Sequence, residues 1–153
     1  MHYVVCRVGD DTYALEAGTV DKVLPYAALK PLPGAVRGLV GVLNYQGQSV
    51  PVVDLGLLFQ GVPTPEAFGS RIILSQVAGL RSGRLGILVG CVEGISVVPE
   101  ESFISPGASA DPSLGDVSPA GGSFIQRIEL PSVLPDDVLE SLDWCEAGEA
   151  AWA

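Results

Sequence analysis

The chain has 153 residues, 48% of them hydrophobic, so it is long enough to bury a core without a metal or a disulfide framework. Its net charge of −10 arises from residues 100–153, where Arg127 is the only base, and the neutral remainder offers no basic stripe for nucleic acid. Three cysteines without CxxC spacing argue against a zinc site, and no apolar run reaches the roughly 18 residues of a membrane span. We therefore expect a cytosolic protein without membrane insertion.

The 19 glycines and 12 prolines fall between short apolar runs, which is typical of many short strands joined by turns. Val4, Cys6 and Val8 alternate along the first run and predict one face of a strand. A turn at residues 9–11 then leads into a second strand from Thr12 to Leu15. Residues 17–23 fit either a single helical turn or a short edge segment that Pro25 ends.

The central hairpin is predicted at Leu39–Tyr45 and Ser49–Val53, joined by a turn at residues 46–48. Pro51 suggests that the second strand lies at a sheet edge or carries a bulge, because proline cannot donate to the ladder. Asp54 is expected to cap a helical turn that packs Leu55, Leu58 and Phe59.

Residues 61–70 are rich in turn residues and predict a loop. The elements expected after it are a hairpin of strands apolar on both faces at Arg71–Val77 and Arg84–Val89, an apolar run at Val92–Val98, an irregular loop at Ser102–Gly122, a strand at Ser123–Leu130, a short helix at Pro135–Leu142, and an acidic, flexible tail from Asp143 to Ala153.

Residues that carry chemistry are scarce in this sequence. The single histidine, His2, is a poor base for a serine or cysteine nucleophile, and neither Lys22 nor Lys30 follows a phosphate-binding glycine loop. Gly38 and Gly41 are interpreted as backbone turns rather than as part of a dinucleotide fingerprint. We expect no cofactor, no metal and no catalysis, and a paired-carboxylate enzyme remains a minor alternative.

Five segments in order resemble the CheW-like coupling proteins of bacterial chemosensory arrays. They are Tyr13–Glu16, Leu32–Gly34, Gly41–Gly47 with the sequence GVLNYQG, Pro51–Leu55 with the sequence PVVDL, and Gly86–Val92 with the sequence GILVGCV. The resemblance extends from about residue 3 to residue 142, so residues 1–142 are assigned to one CheW-like domain. The closing segment and the NYQG turn are more similar to coupling proteins of alternative, surface-sensing pathways that drive a cyclase.

The resemblance implies a mostly β fold of two small five-stranded β-barrels that share a hydrophobic seam. It also implies a non-catalytic adaptor that joins the cytoplasmic tip of a methyl-accepting chemoreceptor to the regulatory domain of a CheA-like histidine kinase. Weak self-association through barrel edges stays open. The protein-binding residues expected are Val20, Val23, Leu39 and Val42 at the receptor-facing seam, Asn44, Gln46 and Gly47 in the turn, and in addition Lys22.

Three positions depart from the family pattern. Gln46 stands where relatives commonly carry arginine and Lys22 where they often carry glutamate, so the usual ion pair cannot form. Gly90 replaces the aspartate of the last motif. Two alternatives to a standard adaptor are a small β-barrel that binds a ligand or nucleic acid, and a CheW-like regulatory partner of another kinase. The near absence of bases beside the tyrosines counts against a nucleic-acid barrel.

Overall fold

The computed structural model describes residues 2–31, 38–77, 83–104, 114–119 and 124–128. These residues form two sheets with mostly antiparallel pairing, which we call sheet A and sheet B. The helical segments among them are short turns between strands. The mostly β fold expected from the composition is confirmed.

Sheet A has five strands in the order β10-β11-β2-β1-β9. Their bounds are β1 His2–Val8, β2 Asp11–Glu16, β9 Cys91–Val97, β10 Leu114–Ser118 and β11 Ile125–Ile128. The predicted first hairpin is confirmed, with Cys6 paired to Tyr13 in the antiparallel register. Strand β9 lies at one edge of sheet A, where it pairs only with β1 among the described residues.

Sheet B has six strands in the order β3-β7-β8-β6-β5-β4. Their bounds are β3 Val20–Pro25, β4 Lys30–Pro31, β5 Leu39–Tyr45, β6 Gln48–Asp54, β7 Arg71–Gln76 and β8 Arg84–Val89. Both possibilities for residues 17–23 are realised, because a 3-10 turn at Ala17–Thr19 leads into the edge strand β3. The segment that joins the predicted strands Arg71–Val77 and Arg84–Val89 lies mostly outside the described residues.

Within the central hairpin, the edge position expected for β6 and the turn expected at Gly41 are wrong, whereas the alternative of a bulge is met by the register shift in the pairing of β6 with β5. Strand β6 is internal, and Pro51 is tolerated there because the pairing with β8 begins only at Val52, which faces Gly86. Gly41 is no turn residue but lies within β5, beside a register shift in the pairing with β6. A Cβ at Gly41 would lie 2.6 Å from the carbonyl oxygen of Lys30, so glycine is needed for the close approach of β4.

The two sheets bury one common core, which we call the shared core. Sheet A contributes Val4, Cys6, Val8, Tyr13, Leu15 and Ile128, and sheet B with its flanking segments contributes Leu39, Val42, Val53, Leu55, Leu58, Ile73, Val77, Leu85, Ile87 and Val89. The outer face of each sheet is covered as well. Residues 24–29 pack on sheet B, and Val98 and Phe103 pack on sheet A. This double burial explains why β7 and β8 are apolar on both faces.

The helical turn after β6 and the loop at residues 61–70 occur as predicted. The irregular loop expected at Ser102–Gly122 is wrong in part, because β10 lies inside it and pairs with β11. A short strand of mixed composition such as LGDVS carries too few alternating apolar residues to be recognised from sequence. The helix at Pro135–Leu142 and the tail at 143–153 fall outside the described residues. None of the helices in the described ranges is long and apolar enough to cross a membrane.

Candidate docking surface

The first group of predicted contact residues lies on β3, an edge strand of sheet B. Lys22 is exposed and Val23 is 40% exposed, whereas Val20 is half-buried and packs against the rim of the shared core. Among the described residues, β3 therefore pairs with a strand on one side only, and it carries a partly exposed apolar side chain. Such an edge can pair with, or pack against, another protein.

The two predicted seam residues of β5 are not at the surface. Leu39 is 6% exposed and Val42 is 4% exposed, and both belong to the shared core. The reason is that both side chains project from β5 into the core between the two sheets, and the register shift between Leu39 and Gly41 lets residues three apart share that face. Leu39 and Val42 support the docking surface from within and do not form part of it.

The remaining predicted residues form the tight turn between β5 and β6. Gln46 and Gly47 both have positive φ, 51° and 83°, as in a type I′ hairpin turn. The backbone N–H of Gly47 donates to Oδ1 of Asn44 at 3.0 Å, which fixes the turn from its own side chain. All three residues are exposed, so the turn projects from the end of sheet B.

Arg84, at the start of β8, connects this turn to β3. Its Nε donates to Oδ2 of Asp21 at 3.0 Å, and its Nη1 donates to Oε1 of Gln48 at 3.3 Å. The guanidinium carbon also lies 5.7 Å from the ring centroid of Tyr45. Arg84 thus contacts one residue on each of three other strands, β3, β5 and β6.

Sequence reasoning did not identify Arg84 as a site residue. The strand order β3-β7-β8-β6 brings residues 21, 48 and 84 to one end of sheet B, and that order includes a parallel pairing between β6 and β8. The sequence signal for the contact between Arg84 and Asp21 was weak. It consisted of an acid beside Lys22 and an arginine at the start of an otherwise apolar strand.

A groove of about 660 Å³ opens beside this cluster. It is lined by Thr19, Asp21, Gln48, Gln76, Val77, Gly83 and Arg84. Nε2 of Gln76 donates to Oδ1 of Asp21 at 2.8 Å, so both oxygens of that carboxylate accept a hydrogen bond. The groove therefore presents hydrogen-bonding amide groups and a neutralised ion pair above the buried side chain of Val77.

A second exposed surface that sequence reasoning missed lies on the edge strand of sheet A. Ile95 and Val97 of β9 are 67% and 65% exposed, although Val92 on the same strand packs against the shared core. Gly94, with φ of 135°, lies at a register shift in the pairing of β9 with β1. The shift breaks the simple alternation along the strand, so the sequence pattern alone does not show which residues face outward.

Two free cysteines lie in the part of the chain that the structure describes, Cys6 buried and Cys91 half-buried. Burial raises the pKa of the Cys6 thiol to about 12, so the thiol stays protonated and unreactive at neutral pH. Within the described ranges, no three His, Cys, Asp or Glu side chains come together as a metal site.

One polar cluster fastens the segment after β9 to the outer face of sheet A. The Tyr3 hydroxyl donates to Oε2 of Glu100 at 2.9 Å, and Nη1 of Arg127 donates to Oε1 of Glu100 at 2.6 Å. The hydrogen bonds from Arg127 and Tyr3 lower the pKa of Glu100. Burial acts to lower the pKa of Arg127, but its contacts with Tyr3 and Glu100 outweigh burial and raise it. We call this cluster of Tyr3, Glu100 and Arg127 the clasp, and its role is structural.

Comparison with known proteins gives a consistent result. Residues 2–137 match the model of the CheW-like domain. The chain is 27% identical over 142 residues to a chemotaxis protein CheW of Rhizobium meliloti (strain 1021), with 90% of each chain covered. It is 26% identical over 98 residues to a probable chemotaxis protein CheW of Rhizobium etli, covering 64% of this chain and 61% of the relative.

A solved structure shares the fold. The crystal structure of the scaffolding protein TtCheW from Thermoanaerobacter tengcongensis superposes with a TM-score of 0.78 at 21% identity, covering 90% of this chain and 94% of the other. The two sheets described above are therefore a known arrangement.

Proposed function

This chain belongs to the CheW-like domain family, as its motifs predicted, and we propose that it is a non-catalytic adaptor that couples a methyl-accepting chemoreceptor to a CheA-like histidine kinase. The observation that carries the proposal is a pair of strands, β3 and β9, that lie at sheet edges among the described residues and expose apolar side chains, one on each sheet. An adaptor must hold two partners at once, and these two edges together with the exposed β5–β6 turn provide separate contact areas for them.

We assign the receptor to the exposed apolar residues beside the shared core. Val23 on β3 and Ile95 and Val97 on β9 offer apolar area that a helix of the receptor tip can bury. Val20 and Val92 contact the rim of the shared core on the same two strands, so the docking area is backed by close-packed side chains. A rigid backing lowers the entropy lost on binding.

We assign the β5–β6 turn to a protein contact as well. Asn44, Gln46 and Gly47 are exposed, and the turn is held in one conformation by the contact between Asn44 and Gly47. Asp21, next to Lys22 on β3, is linked through Arg84 to Gln48 beside the turn, which supports a surface that spans β3 and the turn. The partners would be met in the cytoplasm, where the receptor tip and the kinase lie, and no nucleic acid is involved.

The experiment is a three-component sedimentation assay. Receptor-bearing vesicles and the kinase are mixed with the wild-type chain or a variant, and the kinase in the pellet is measured. Ile95→Asp places a charge in the apolar contact and should lower kinase capture by about tenfold or more. Val62→Asp is the matched control, because Val62 is similarly exposed but lies in the loop at residues 61–70. Gly47→Val tests the turn in the same assay.

Gly47→Val should fold, because no atom lies within 4 Å of a Cβ at this position, yet it should lose capture because the turn must distort. Capture by Ile95→Asp equal to that of the Val62→Asp control would refute the assignment of β9. Failure of the wild-type chain to bring any kinase into the pellet would refute the adaptor function itself.

A further inference from the structure

We propose that the Asp21–Arg84 ion pair sets which receptors this adaptor accepts, by keeping the adjacent groove neutral so that it takes an uncharged hydrogen-bonding side chain, an amide or a hydroxyl, from the receptor tip. The inference rests on the proposed function. It adds a positioning residue, Arg84, and a chemical class for the partner group.

Arg84 connects the edge strand β3 to the turn between β5 and β6. Asp21 belongs to the edge strand β3, whereas Gln48 and Tyr45 close the hairpin turn between β5 and β6. Arg84 contacts all three, through two hydrogen bonds and the face of the tyrosine ring. Loss of its guanidinium would release β3 and the turn from each other at the end of sheet B where the predicted contact residues lie.

The ion pair between Arg84 and Asp21 lies at the side of the groove. The side chains of Arg84 and Asp21 are 35% and 24% exposed, so the pair is partly shielded from water. Their opposite charges cancel, and Gln76 donates to the second oxygen of Asp21. A charged side chain entering the groove would lose hydration without meeting an uncompensated opposite charge among the lining residues that the structure describes. The groove therefore discriminates against charged partner groups.

The polar side chains that line the groove favour an uncharged partner group. Gln48 and Gln76 carry amides with both donor and acceptor atoms, and Thr19 adds a hydroxyl at the rim. A neutral side chain with a donor and an acceptor matches this lining. The buried Val77 beneath it gives the stem of such a side chain an apolar contact.

The test uses the full chain in the sedimentation assay with receptor vesicles and kinase. Arg84→Gln and Asp21→Asn should each weaken binding by about tenfold while shifting Tm by less than about 4 °C, because a partly exposed ion pair contributes little to stability. The exchange variant Asp21→Arg with Arg84→Asp restores neutrality but lacks the contacts of Arg84 with Gln48 and Tyr45, so it should bind more tightly than either single variant and less tightly than the wild type. Arg71→Gln removes an arginine at the opposite end of sheet B and should bind normally.

A second arm identifies the partner group. Each Asn, Gln, Ser and Thr of the receptor tip is replaced by Ala, and each Asp, Glu, Lys and Arg likewise, in double-mutant cycles with Arg84→Gln. Non-additivity at an amide or hydroxyl position is expected. Non-additivity confined to charged positions would overturn the proposal, and so would wild-type binding by Arg84→Gln. In both cases the wild-type chain still couples, which separates this failure from that of the proposed function.

Discussion

Replacement of Asp54 tests how the end of β6 is held. The carboxylate is 2% exposed and accepts hydrogen bonds from the backbone N–H of Gly56 at 2.8 Å, the backbone N–H of Thr64 at 2.9 Å and the Thr64 hydroxyl at 2.5 Å. It therefore fastens the loop at residues 61–70 to the helical turn after β6. The structural reason for aspartate in the PVVDL motif is this fastening.

The expected loss in the free energy of unfolding follows from the hydrogen-bonding groups that each substitution leaves unpaired. Asp54→Ala removes three acceptor contacts, one of them fully buried, and should lower the free energy of unfolding by about 3–5 kcal/mol. Asp54→Asn keeps one acceptor oxygen but places an amide donor against a backbone donor, so it should cost about 1–3 kcal/mol. Thr64→Val removes a single hydroxyl and should cost about 1 kcal/mol.

The assay is urea denaturation followed by circular dichroism, with the midpoint and slope measured for all three variants. The expected order of destabilisation is Asp54→Ala, then Asp54→Asn, then Thr64→Val. An Asp54→Asn variant within about 0.5 kcal/mol of the wild type would show that the carboxylate charge and its acceptors do not hold the loop.

Three further outcomes are expected. Gly41→Ala should lower the free energy of unfolding by about 1–3 kcal/mol, because its Cβ would meet the Lys30 carbonyl, and an unchanged urea midpoint would contradict this close approach. The lowered pKa of Glu100 means that its clasp stabilises the fold above its ordinary pKa of 4.5 and is lost as pH falls through the folded value. Glu100→Gln should therefore flatten the acid limb of a Tm-against-pH profile, and a profile identical to that of the wild type would exclude the clasp. Cys6 should react with iodoacetamide at pH 8 only after unfolding, as mass spectrometry of the labelled peptide would show.

Much of the fold could be predicted because local patterns and the fold agree. The alternation of Val4, Cys6 and Val8 follows from one buried face, and the turn at Gln46 and Gly47 follows from the need for positive φ. The edge position predicted from Pro51 is wrong because the effect of a proline depends on where the neighbouring strand begins to pair. Strand β10 was missed because it owes its conformation to pairing with β11 more than to its own sequence.

The site was harder to predict than the fold. The residues predicted on β3 and in the β5–β6 turn lie at the surface, apart from the half-buried Val20, but Leu39 and Val42 are buried because they project into the core between the two sheets. Arg84 meets Asp21 across 63 residues of sequence, through a strand order that no local pattern specifies. Contacts of this kind depend on topology and become visible only in the folded chain.

Kinase activity in the presence of receptor tests the adaptor function most directly. The kinase is mixed with ATP and receptor-bearing vesicles, and its phosphorylation rate is measured as the chain is added. The rate should rise by about tenfold or more and saturate as the chain fills its sites, and the rise should require the receptor. A rate that stays at its basal value at saturating concentrations of the chain, with receptor and kinase both active in separate controls, would contradict the proposed function.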